Sequence, residues 1–337
     1  MKRVGIVGCG GIANVHARAL SQMKDVKIAA TTDCVSARAE QLSFTFTGGR
    51  AEVYSSLTEM LERENLDVIH ICTPHNLHVP MAIQGLKSGV AVFCEKPPAI
   101  SLRQFEELVE VRKETGSRIG FCFQNRYNSS VEKVEEIQNS GTLGEVVGVR
   151  AFVTWRRDEE YYKTDWKGML ATEGGGVLIN QSIHTLDLVL QILGEPVEVQ
   201  ASINNHHLTG KIQVEDTVEA WMKFSGGKRA CFYASNGYAA DAPVILECTC
   251  ERGSITMLDQ MVLVCDSKRR EQFTFQEPEG IGKNCWGSSH VKCIRDFYEK
   301  LESGERFRND LAGVENTLKT VMKIYDIAKE RNEQWKK

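Results

Sequence analysis

The stretch Gly8-Cys9-Gly10-Gly11-Ile12-Ala13 follows a short apolar run, Val4 to Val7, and opens a helical pattern. In that setting each residue type has its own task. Gly8 permits a tight turn, Gly10 lets backbone come close to a diphosphate, and small Ala13 lets the helix close on the strand. The backbone N–H groups of Gly11 and Ile12, at the helix start, face the negative charge. Asp33 ends the next apolar run about twenty residues further on, the offset at which an acid meets the ribose of a bound dinucleotide. Its carboxylate would accept from the adenosine ribose hydroxyls and repel a 2′-phosphate, which favours NAD; Arg38, just downstream, keeps NADP open as an alternative. A second set of polar residues lies on an apolar helical pattern from Gly176 to Leu193. Asn180, His184, Asp187 and Gln191 fall at i, i+4, i+7 and i+11 and make one polar stripe. A histidine titrates near pH 6.5, which suits His184 to reversible proton transfer, and the triple glycine before it would let backbone approach a ligand.

These residues need elements to hold them. In the first third, β-branched runs (Val4 to Val7, Val26 to Thr32, Asp67 to Cys72, Val90 to Cys94, Arg118 to Phe123) alternate with helical patterns. That rhythm predicts parallel β-α-β units, a doubly wound Rossmann sheet. After about residue 123 one helix, Ser130 to Ser140, leads into successive strands from Glu145 to Cys265 with turns such as Ser225-Gly226-Gly227 and Arg252-Gly253, and two helices near Ser288 to Ser303 and Leu311 to Arg331 end the chain. The prediction is an α/β chain with two domains: a dinucleotide-binding domain over 1–123, and over 124–337 an α+β domain with a largely antiparallel open sheet for substrate binding and oligomerisation. At 337 residues the chain is long for one core, which agrees with two.

Composition excludes several classes of function. A net charge of −4 with 26% charged residues leaves no nucleic-acid footprint, and the run Lys268-Arg269-Arg270 reads as a solvated hairpin turn. No stretch approaches the roughly 20 apolar residues of a membrane helix, and the amino terminus enters a strand directly, so a cytoplasmic protein is expected. The eleven cysteines are odd in number, and Cys72, Cys94, Cys122 and Cys231 sit in apolar strand patterns as small hydrophobes. Cys248-Thr249-Cys250 has no second pair at zinc spacing, so no metal is expected. An antiparallel sheet with one face not covered by helices suits a homodimer or homotetramer.

Two more segments stand at predicted strand ends: Thr73-Pro74-His75-Asn76-Leu77-His78 and Glu95-Lys96-Pro97-Pro98. With the amino-terminal fingerprint and the run Glu173-Gly174-Gly175-Gly176 through Asn180, His184 and Asp187, the chain resembles the glucose-fructose oxidoreductase, inositol dehydrogenase and rhizopine catabolism (Gfo/Idh/MocA) family. Glu215-Asp216-Thr217, Trp286 and His290 are further family-like features. The resemblance implies an NAD(P)-dependent oxidoreductase acting on a CH–OH group of a sugar, inositol or sugar derivative. Thr73, Pro74, Asn76, His78, Glu95 and Lys96 would then meet the cofactor, beyond the carboxyl ends of the strands where open parallel sheets collect ligands.

Oxidising a secondary alcohol requires a base for the hydroxyl proton and a positive donor for the oxygen. The family segments implicate His184 as the base and Lys96 as the donor. The family pattern has aspartate before the histidine where this chain has Asn180, which cannot stabilise an imidazolium as a carboxylate does; Asp187 either compensates or holds the helix. Arg126 and Tyr127, in Arg126-Tyr127-Asn128, match a substrate-lining segment, and Trp166 ends the aromatic stretch from Trp155 that looks like the variable substrate loop. Lys96, Arg126, Tyr127, Trp166, Asn180 and His184 are thus the expected substrate contacts. Two alternatives stay open: redox-neutral NAD-dependent cleavage of a sugar bond by a glycosidase or lyase of the family, and a non-enzymatic NAD-binding sensor.

Overall fold

Apolar runs too short for helices become strands buried on both faces when helices cover both sides of a parallel sheet. The computed structural model describes residues 1–276 and 289–331; Trp286 and Ser288 lie outside them. It forms β1 (Lys2–Val7), α1 (Gly11–Ser21), β2 (Val26–Thr32), α2 (Ser36–Thr47), β3 (Glu52–Tyr54), α3 (Leu57–Arg63), β4 (Val68–Ile71), α4 (His75–Lys87), β5 (Ala91–Cys94), α5 (Leu102–Thr115) and β6 (Ile119–Phe121). The six strands pair in parallel in the order β3-β2-β1-β4-β5-β6, the expected doubly wound sheet. The order reverses beside β1, so the carboxyl ends of β1 and β4 make the switch point at which such sheets take ligands. Every residue of β4 and β5 is buried. Ser101 caps α5 by accepting from the Gln104 N–H, and Gly116, with φ of 66°, ends it.

The rest of the chain gives α6 (Ser129–Asn139), β7 (Val146–Thr154), α7 (Leu170–Glu173), α8 (Ile183–Leu193), β8 (Pro196–Asn204), β9 (Thr217–Phe224), β10 (Arg229–Ser235), β11 (Ile245–Cys250), β12 (Gly253–Leu258), β13 (Met261–Asp266), β14 (Arg270–Thr274), α9 (His290–Ser303) and α10 (Leu311–Arg331). The eight strands form one sheet, β14-β13-β12-β11-β7-β10-β9-β8, antiparallel throughout except for the β7–β10 pair. Burial alternates along β10, β11 and β13, as it must when one face packs inward. On that inner face α8 lies against β7, and α6 against β12 and β13. No helix among the described residues is long and apolar enough to cross a membrane. Every cysteine among them is a free thiol.

The chain divides into two units, Met1–Gln124 with Glu279–Val314, and Asn125–Pro278 with Glu315–Lys337. The expected division gives everything after residue 123 to the second domain, whereas α9 packs on α1 inside the first unit. Its apolar stripe explains the return: Phe297 meets Phe93 at 5.1 Å between ring centroids, and a Cβ on Gly120 would come within 2.8 Å of Phe297.

The expected helix over 176–193 begins only at Ile183. The cause is Glu215, buried and 1% exposed. Its carboxylate accepts from the Gly176 N–H at 2.9 Å, the Leu178 N–H at 3.0 Å and the Tyr325 hydroxyl at 2.9 Å, while its carbonyl takes the Val177 N–H at 3.0 Å. Those bonds hold residues 176–178 against Glu215 ahead of α8. The glycines serve this packing: a Cβ on Gly175 would lie 2.0 Å from the Tyr325 hydroxyl, and one on Gly176 1.9 Å from the Glu215 carbonyl. Asn180 therefore precedes α8, and the four-residue polar stripe does not form on a single helix.

Asp187 is taken up by the second unit's interior. Arg126 Nε donates to Asp187 Oδ2 at 2.7 Å and Nη2 to Oδ1 at 2.5 Å, and Thr317 Oγ1 donates to Oδ1 at 2.6 Å. Both charged side chains are 1% exposed. Asp187 thus holds α8, which settles its open role. Breaking one side of such a pair leaves an unmatched buried charge. Arg126→Met should destabilise the second unit by about 3–5 kcal/mol in urea unfolding followed by circular dichroism, and Arg126→Met/Asp187→Leu should restore much of the loss. A double variant no more stable than the single one would mean that the fork is not what anchors α8.

Candidate active site

The first unit builds the cofactor face from the turn after β1. Gly8 has φ of +81°, and a Cβ there would lie 2.9 Å from the Cys72 carbonyl group, so the turn passes close over the end of β4. Gly10 stands next to the start of α1, whose N-terminus has no side-chain cap. The N–H groups of that first turn thus remain for a ligand. Ala13 is fully buried. Asp33 Oδ2 accepts from the Cys9 N–H at 2.7 Å and Oδ1 from the Val35 N–H at 2.8 Å, which fixes the carboxylate at the end of β2 with acceptor capacity left on each oxygen. Arg38 stands 3.8 Å from Asp33 with its side chain 59% exposed. Thr73 Oγ1 and Asn76 Oδ1, where α4 begins after its N-cap Pro74, are buried without a hydrogen-bond partner. Buried polar atoms of this kind call for a partner outside the chain, and with the uncapped helix and the Asp33 carboxylate they fit a dinucleotide.

His78 differs from the expected cofactor contact. Its Nδ1 lies 2.9 Å from the Pro97 carbonyl and its Nε2 3.0 Å from the Thr73 carbonyl, with the ring 1% exposed. It braces the segments after β4 and β5 against each other, and burial, ahead of those two bonds, lowers its pKa.

Glu95 is likewise turned inward. Its Oε1 lies 2.9 Å from His16 Nε2, and its Oε2 accepts from the Lys96 N–H at 3.2 Å. His16 Nδ1 is 2.8 Å from His70 Nδ1, and His70 Nε2 is 3.0 Å from the Tyr298 hydroxyl. With both imidazoles neutral, one direction satisfies every atom: Tyr298 donates to His70, His70 to His16, and His16 to Glu95. Burial drives the His70 pKa far down, in agreement with a neutral ring. Burial alone would raise Glu95, but the hydrogen bond from His16, and after it the positive charge of Lys96, outweigh it and hold the carboxyl well below its ordinary range. Sequence reasoning missed His16, His70 and Tyr298, whose signal is polar residues at apolar-phase positions. Donor atoms of His16, Glu95 and Cys122 lie within 4.8 Å of one another, a spacing that could hold a metal ion, yet His16 and Glu95 already satisfy each other. Lys96 follows β5 directly and is partly buried.

In the second unit, His184 sits in the first turn of α8 and is the one residue between 175 and 190 that is not buried. Asn180 donates its amide N–H to Glu173 Oε1. Gln181 donates to the Tyr161 hydroxyl at 3.1 Å, and Asn236 to the Tyr162 hydroxyl at 3.0 Å, so the aromatic stretch joins the same polar cluster. Trp166 is half-buried at its end, with Lys167 Nζ 5.7 Å from the ring centroid. Tyr127 is 8% exposed. Arg126, expected at the substrate, is instead enclosed in the fork with Asp187. Glu173 was not expected as a site residue; its signal is an acid just before the glycine run.

Residues 2–123 match the family model described as an oxidoreductase family with an NAD-binding Rossmann fold, and residues 131–256 match the GFO/IDH/MocA C-terminal domain. The D-glucoside 3-dehydrogenase of Escherichia coli is 30% identical over 208 residues, which is 60% of this chain and 57% of that protein. The myo-inositol 2-dehydrogenase of Thermotoga maritima is 27% identical over 67% of this chain and 66% of its own length. The aligned part thus spans less than two thirds of each of these relatives. Among solved structures, the WlbA dehydrogenase of Bordetella pertussis, in complex with NADH and UDP-GlcNAcA, superposes with a TM-score of 0.83 at 26% identity, covering 98% of this chain and 97% of that one. These relatives favour neither the redox-neutral alternative nor the sensor. The chain belongs to the Gfo/Idh/MocA family of oxidoreductases, and its first unit carries the family's NAD-binding Rossmann fold.

Proposed function

We propose that this protein is an NAD-dependent dehydrogenase that transfers hydride between a secondary hydroxyl of a sugar, inositol or sugar derivative and the nicotinamide. The observation that carries the reading is His184, half-buried in a run whose other residues from 175 to 190 are buried. In the oxidation, His184 would take the hydroxyl proton as the carbonyl forms. Lys96 donates to the substrate oxygen and stabilises the charge that develops there. When bound, NAD supplies the hydride acceptor. Thr73, Asn76 and Asp33 hold it with the uncapped start of α1, and Tyr127, Trp166 and Asn180 belong to the substrate's surroundings. Buried thiols support a cytoplasmic setting, and exposed apolar residues on the large sheet, Val147 and Val197, support a homodimer or homotetramer.

A single-turnover screen with NAD and then NADP against hexoses, inositols, uronic acids and nucleotide sugars should give a reduced-nicotinamide fluorescence signal that appears and persists. His184→Ala should lower that rate at least about a hundredfold with NAD affinity unchanged. A transient signal would point to redox-neutral chemistry, and an undiminished rate in His184→Ala would remove the histidine from its assigned role. Asp33→Ser should weaken NAD binding at least about tenfold in calorimetry and narrow the gap to NADP, through lost charge-assisted bonds to the ribose. Unchanged affinity would place the ribose elsewhere.

A further inference from the structure

Asn180 stands where a carboxylate would give a one-sided acceptor, and an amide has two different ends. We propose that Glu173 is a positioning residue for the hydride-transfer site: its buried carboxylate fixes the Asn180 amide in one orientation, so that the end turned away from Glu173 is the acceptor Oδ1. This rests on the dehydrogenase reading above.

With Glu173 ionised, the geometry admits one sense for the pair. Glu173 is completely buried. Its Oε2 accepts from the Gly168 backbone N–H, which can only donate, and its Oε1 meets the Asn180 side chain. A flipped amide would press Oδ1 against a carboxylate oxygen with no proton between them, out of reach of water. Asn180 Nδ2 therefore faces Glu173, and Asn180 presents an oxygen on its other side with the hydrogen-bonding sense of a carboxylate and without its charge. The carboxylate makes itself felt nearby. Burial first, and then the negative charge of Glu173, push the Tyr161 hydroxyl up to about 12, against hydrogen bonds from Gln181 and Asn180 and the charge of Arg157.

The same carboxylate ties the aromatic loop to Asn180. Gly168 closes that loop with φ of +74°, and a Cβ there would lie 2.7 Å from Ile212 Cγ2, while its carbonyl accepts from the Gln213 N–H at 2.7 Å. Thr172 Oγ1 bonds to the Trp166 carbonyl at 2.6 Å. One acid thus sets both the amide orientation and the end of the loop that carries Trp166.

The test uses the full chain with selectively 15N-labelled asparagine, the Asn180 side-chain resonance being assigned by its loss in Asn180→Asp. In the wild type this amide should exchange slowly with solvent; in Glu173→Gln it should shift and exchange at least about tenfold faster. With NAD and either myo-inositol or methyl β-D-glucoside as probe, Glu173→Gln should lower kcat by about tenfold to a hundredfold with KM and NAD affinity nearly unchanged. Glu173→Gln/Asn180→Asp moves the donor to position 173 and leaves an acceptor at 180, and should recover most of the lost kcat, whereas Asn180→Asp alone sets two carboxylates face to face and should not. Urea unfolding followed by circular dichroism reports the integrity of each variant, and the double variant carries the test should Glu173→Gln fold poorly. An amide unchanged in Glu173→Gln, or a double variant no better than the single one, overturns the proposal. If the wild type oxidises neither probe, it is the dehydrogenase reading that suffers, and the amide spectra still decide the orientation.

Discussion

A carboxylate leaves water at a cost of several kcal/mol unless donors replace every hydrogen bond it gives up. The second unit buries four among its described residues, Glu173, Asp187, Glu215 and Asp216, and the path of its chain follows from how each is satisfied. Asp187 has a cation in its fork, Arg126. Glu215 takes the N–H groups of Gly176 and Leu178, and Asp216 those of His206, His207 and Leu208. Glu173 takes that of Gly168. Backbone donors used in this way are unavailable to helices and strands, so segments without regular structure are nonetheless fixed. That is how the turn before α8 and the end of the aromatic loop hold their side chains in place.

The first unit solves the same problem by a chain of side chains. Glu95 lies beside the Lys96 backbone, and its charge is met from below by His16, which leans on His70 and through it on Tyr298 of α9. The return of α9 to this unit is therefore more than apolar packing, since it brings the hydroxyl that ends the relay. Any shift of that helix would be felt at the carboxylate next to Lys96.

What was legible in the sequence tracks what is local. The fingerprint, its flanking strand and helix, and Asp33 stand within a few elements of one another, and strands buried on both faces announce themselves as apolar runs. β3 is three residues long and α2 buries only Ala39, Leu42 and Ser43, so neither left a pattern to read. His16 and Glu95 are 79 residues apart, and Arg126 and Asp187 61, so nothing in either neighbourhood names the other. The misplaced start of α8 has the same origin: the apolar pattern from Gly176 onward does not show that residues 176–178 are held by Glu215, which lies far along the chain.

Glycines separate the two kinds of evidence. Gly8 and Gly176 are required by their own chain, because a Cβ would strike Cys72 or Glu215. Gly48, Gly89 and Gly116 have open space around them, yet each has a positive φ that L side chains rarely adopt. Gly10 has neither reason: its φ is −78°, and no atom lies within 4 Å of where a Cβ would be. A side chain there would cost the folded chain nothing that its own structure reveals. The space left open at this point, beside an uncapped helix start, suits the close approach of the negatively charged dinucleotide proposed above. Gly175 and Gly176, which read as ligand glycines from sequence, are instead required by the packing around Tyr325 and Glu215, whereas nothing in the folded chain itself requires Gly10.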